Sequence, residues 1–67
     1  MNITLNNNKE VIDEEKLTVA ELLRLKNFTF RMLIVKINGK VVKQADYAGA
    51  EINDGDDVMV LHLISGG

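Results

Sequence analysis

A single capped helix set among strand-like segments is the feature that most limits what this chain can fold into. Thr18-Val19-Ala20-Glu21 fits a capping box, in which the Thr18 side chain accepts from the Glu21 amide and Glu21 reaches back to the Thr18 amide. Val19, Leu22 and Leu23 follow at helical spacing, while Glu21 and Arg24 fall elsewhere on the wheel. Arg24 and Lys26 lie near the negative end of the helix dipole, and Asn27 is a plausible stop. The pattern predicts a helix over 19–26. At 67 residues there is room for one domain, which buries only about 60% of its unfolded surface and so needs a dense core and short loops. A hydrophobic fraction of 46% with 4% aromatics makes that core mostly aliphatic.

On either side of the helix the periodicity is that of strands. Met1 to Leu5 alternates, with Ile3 and Leu5 on one face and Asn2 and Thr4 on the other. Asn6-Asn7-Asn8 is turn chemistry, because asparagine tolerates the left-handed region. Lys9 to Glu14 reads as the polar partner of a hairpin, and its charges suit an edge position. Met32 to Ile37 is too apolar for an edge. Asn38-Gly39 is a strong two-residue hairpin signal, with Lys40-Val41-Val42 as the return strand. Gln44 to Glu51 has no clean period and reads as a turn or a scrap of 3₁₀ helix. Asp54-Gly55-Asp56 is a further turn, and Asp57 to Ile64 is the final strand.

An N-terminal hairpin, a crossing helix and a long C-terminal strand describe a β-grasp fold of the α+β class, a mixed sheet folded over one main helix. The final strand should then run parallel beside the first. Its residues divide into two sets: Val58 and Val60 are assigned to the core, and Met59, Leu61 and Leu63 to the open face of the sheet, an apolar group suited to docking a partner. His62 is read as a partly buried strand residue. It is the only histidine, and the absence of cysteine leaves it no companions for a metal site. Asp54, Asp56 and Asp57 lack the spaced ligands and closing glutamate of a calcium loop and read as a tight turn, while Glu10, Asp13, Glu14 and Glu15 read as a solvated face. No metal site is expected.

The net charge of −2 and the scatter of eight basic residues argue against nucleic acid as a partner. No run approaches the roughly 20 apolar residues of a membrane span, and the N-terminus lacks signal-peptide character. A cytoplasmic location, away from membranes, is the expectation.

The chain ends Ser65-Gly66-Gly67 directly after the apolar run. Glycine loses the most entropy on ordering and gives a sheet no side chain to pack, so folding alone does not place two at the end of a strand. Residues 65–67 are expected to form a flexible tail on a single domain spanning 1–67. Three extended residues reach roughly 10 Å, and paired glycines adopt backbone angles barred to other residues.

The helix start, the Asn38-Gly39 turn, the Asp54-Gly55-Asp56 turn and the terminal Gly66-Gly67 together resemble the sulfur carriers of thiamine biosynthesis, a ubiquitin-like family, over essentially the whole chain. That resemblance implies a protein co-substrate and not an enzyme. It implies an adenylating enzyme that uses ATP to activate the Gly67 carboxylate, with no cofactor bound by the chain itself. A cysteine desulfurase system would then supply persulfide sulfur, and the resulting thiocarboxylate would serve a thiazole synthase. Carriers for molybdopterin or transfer-RNA thiolation share the diglycine, and a ubiquitin-like modifier would instead join Gly67 to a lysine. The Lys36-Ile37-Asn38-Gly39 segment resembles the thiamine carriers more.

Overall fold

In a computed structural model of the chain, residues 1–28 and 32–62 are described. The strands are β1 (Asn2–Leu5), β2 (Asn8–Val11), β3 (Leu17–Thr18), β4 (Leu33–Ile37), β5 (Lys40–Val42), β6 (Glu51–Ile52) and β7 (Asp57–His62). The helix α1 (Val19–Leu25) follows β3, and a 3₁₀ turn, Gln44–Asp46, follows β5. The main sheet has the order β2-β1-β7-β4-β5, and β3 and β6 form a separate two-stranded pair. β7 runs parallel to β1 and antiparallel to β4, so the last strand is central, as the β-grasp reading requires.

The turns follow from residue chemistry. Both hairpins of the main sheet close through two residues with positive φ, as type I′ turns demand: Asn6 (50°) and Asn7 (67°) in one, Asn38 (51°) and Gly39 (83°) in the other. Asn8, placed in the turn by the sequence, instead opens β2, whose strand ends at Val11 and not at Glu14. The buried Ile12 still exchanges backbone bonds with Met1, but no β1 residue lies opposite the residues that follow it. β2 does lie at the edge, as its polarity foretold. Its Glu10 takes the helix side of the sheet and accepts from Lys26 Nζ at the end of α1, at 3.0 Å. Both partners are about one-third exposed, so this pair contributes little.

α1 begins with the full capping box: Glu21 N–H donates to Thr18 Oγ1 at 3.1 Å and Thr18 N–H to Glu21 Oε1 at 2.9 Å. Leu17 and Leu22 take the N′ and N4 positions of a hydrophobic staple, and both are buried. The helix stops at Asn27, where φ is 58°; Phe28 N–H bonds Leu23 O and Asn27 N–H bonds Arg24 O, a Schellman motif with asparagine in the usual glycine position. The core unites Ile3, Leu5, Val35, Val58 and Val60 from the sheet with Val19 and Leu22 from the helix. Ile12, Leu17 and Ile52 close its flank.

The β1–β7 pairing spans only Thr4↔Asp57 and Leu5↔Val58 before the β1 chain turns away. Asn6 prolongs it. Its amide donates to Val58 O at 2.9 Å, and its side-chain Oδ1 accepts from Val60 N–H at 2.8 Å, standing in for a strand that has already left. Asn6→Gly keeps the positive φ but removes this acceptor, leaving a partly buried N–H unpaired. A loss of about 1–3 kcal/mol is expected, read as a melting temperature lower by at least about 4 °C. Asn6→Asp retains an acceptor and should melt closer to the parent chain. A glycine variant that melts like the parent would show that the side-chain bond adds nothing.

Candidate functional site

The tail calls Ser65, Gly66 and Gly67, with Leu63 of the docking patch, lie outside the described residues. The strand that leads toward them is β7, held by a strand on each side. Alternation along β7 sets the two faces. Val58 and Val60 point under the helix and are buried, as the sequence indicated. Met59 is half-buried and Leu61 is 39% exposed on the open face. His62 corrects its expectation. It shares the helix-side parity of Val60, but at the end of the described strand, opposite Leu33, it is exposed and not partly buried.

Register adds residues that single-strand reasoning missed. Ile34 pairs with Leu61, and Lys36 pairs with Met59 on one side and Val41 on the other. Directly opposed side chains on one face stand roughly 4.5–5.5 Å apart at Cβ. The open face therefore carries a patch of Ile34, Met59, Leu61 and Val41 around Lys36, with Val41 63% exposed on the edge strand. A signal for these partners existed: a two-residue Asn38-Gly39 turn dictates Ile37↔Lys40, and Lys36↔Val41 follows.

The opposite end of β7 is tied down by a polar network. Asn38 Nδ2 donates to Asp56 Oδ1 at 3.0 Å, and Asn38 Oδ1 accepts from Asp57 N–H at 2.9 Å. Asp56 Oδ2 also accepts from Asn53 N–H, and Asp54 Oδ1 accepts from Asn2 N–H. These carboxylates are occupied in closing a turn. Among the described residues no group of His, Cys, Asp or Glu is arranged to hold a metal ion, and no charged or polar side chain is buried.

A mixed sheet closed over one helix, with its last strand central, defines a small ubiquitin-like β-grasp protein. The crystal structure of thiamine biosynthesis protein ThiS from Geobacter metallireducens is similar throughout, with a TM-score of 0.87 and 35% identity over 100% of both chains. A solution structure of a thiamine biosynthesis protein from the same organism gives 0.76 and 31%, covering 100% of this chain and 88% of that one. The model of the ThiS family matches residues 2–67. The chain belongs to the ThiS family, the sulfur carriers of thiamine biosynthesis.

The face assignment has a direct consequence for stability. Leu61→Glu changes an exposed position and should alter stability by no more than about 0.5 kcal/mol. Leu22→Ala empties a fully buried site and should cost about 2–5 kcal/mol, a fall in melting temperature of more than about ten degrees. Thermal denaturation followed by circular dichroism separates them, and a collapse of the Leu61 variant would mean the faces of β7 are reversed.

Proposed function

We propose that the working group of this carrier is the Gly67 carboxylate, adenylated at the expense of ATP by an activating enzyme and then converted to a thiocarboxylate. In the first step a carboxylate oxygen attacks the α-phosphorus of ATP and displaces pyrophosphate. An α-carboxyl group has a pKa of about 3.3–3.7, so it is ionised and nucleophilic at neutral pH. The terminal sulfur of a persulfide from a cysteine desulfurase system then attacks the acyl carbon and displaces AMP. A thiol cleaves the resulting acyl disulfide, ending in a disulfide itself and releasing the thiocarboxylate. The thiocarboxylate passes its sulfur to a thiazole synthase. On this reading the chain is a cytoplasmic co-substrate that binds no cofactor of its own, and other proteins perform the catalysis.

The observation that carries the proposal is the diglycine at the end of the chain, six residues beyond Leu61 on the central strand of a ThiS-family fold. Gly66 and Gly67, with Ser65, form the part threaded into a partner's channel. Met59, Leu61 and Leu63 form the surface on which the activating enzyme docks, joined by Ile34 and Val41 through sheet register.

Mass spectrometry of the chain incubated with its adenylating enzyme, ATP, a persulfide donor and a thiol reductant tests the chemistry. The intact chain should exchange one carboxyl oxygen for sulfur, and deleting Gly67 or appending a residue should abolish the exchange without lowering the melting temperature. Sulfur uptake by the truncated chain would end the proposal, and recovery of Gly67 in an isopeptide bond to lysine would assign a modifier instead. Gly66→Val should also block activation, because a β-branched side chain widens the tail and stiffens it. Unimpaired adenylation of that variant would remove the channel from the account and leave the carboxylate chemistry standing.

A further inference from the structure

The part of the open face formed by Ile34, Met59, Leu61 and Val41 is apolar except at its middle. Lys36 stands between Val41 and Met59 in register, with Ile34 two residues along its own strand and Leu61 diagonal to it. The residue is half-buried, so its aliphatic stem is already covered while the ammonium faces outward. Lys36 makes no ion pair with a described residue. The acid nearest in register is Asp57, on the same face but one diagonal step away, beside Thr4 and not beside Lys36. A partner that covers Ile34, Met59 and Leu61 therefore also covers the Lys36 ammonium. Taking a cation out of water without an anion is costly, whereas a close hydrogen-bonded pair recovers that cost.

We infer that this face selects a partner surface that presents an aspartate or glutamate carboxylate within an apolar surround, and that the carboxylate pairs with Lys36 at the centre of the interface. The inference rests on the docking role given to this face under the proposed function and names the chemistry of the occupant. Apolar contact supplies the area, and Lys36 supplies the choice among β-grasp partners and the register in which they seat.

The test is the affinity of the cognate adenylating enzyme for the parent chain and for Lys36→Met, Lys36→Arg, Lys36→Glu and Leu61→Glu, measured by calorimetry at low and high sodium chloride. Methionine matches the lysine stem in length and removes only the charge. If a carboxylate faces Lys36, Lys36→Met leaves it buried and unpaired, so binding weakens at least about tenfold and loses part of its salt dependence. Lys36→Glu should weaken binding further, and Lys36→Arg should restore most of it. All three should melt with the parent chain. If Lys36→Met binds as tightly as the parent or more tightly while Leu61→Glu fails to bind, the docking face stands and the carboxylate inference falls. If Leu61→Glu binds normally, the face is not the interface and the inference falls with it, while sulfur exchange at Gly67 in the parent chain reports separately on the proposed chemistry.

Discussion

Parallel pairing of β7 with β1 is the constraint on which the rest of the structure depends. Parallel neighbours cannot be joined by a tight turn, so the chain between them must cross over, and here that crossover carries α1 and both remaining hairpin strands. Once β7 enters between β1 and β4, the two hairpins become one sheet and Val58 and Val60 complete the layer beneath the helix. The pairing itself is short. It is extended at one end by Asn6, whose side chain accepts from Val60, and at the other by Thr4 N–H and Gly55 N–H, which donate to Asp56 O and Asn2 O.

What was legible in the sequence is what local chemistry decides. The capping box fixes the start of α1, and Asn27 fixes its end because asparagine reaches a positive φ at modest cost. Polarity placed β2 at the edge, and the apolar run placed β4 inside. The β3–β6 pair escaped notice because two residues carry no period: Leu17 and Ile52 each look like an isolated apolar residue until the fold sets them opposite one another. The early end of β2 escaped for a related reason. Ile12 continues the pattern and still bonds Met1, but the polar residues after it have no β1 residue opposite them, which their own sequence does not reveal. His62 has the parity of a core residue, but parity says nothing about where the covering helix runs out.

The candidate site divides in the same way. Two terminal glycines are a chemical statement that needs no tertiary structure, whereas Ile34, Lys36 and Val41 join Met59 and Leu61 only through cross-strand register. Side-chain-to-backbone bonds such as Asn6–Val60 and Asn38–Asp57 were equally hidden. Asparagine in a turn announces its backbone angle and not the distant amide its side chain will meet.

The proposed docking face and the proposed reacting carboxylate would lie close together along the chain. Leu61 and Gly67 are six residues apart along the chain. Whatever conformation those residues take, covalent geometry limits their span to about 20 Å. An enzyme that grips the open face of the sheet and acts on the Gly67 carboxylate must therefore hold its docking surface and its reacting atoms within that distance. The central position of β7 makes the limit useful, because a strand paired on both sides cannot tilt independently of the sheet. Seating the open face then fixes the direction of β7 as far as His62.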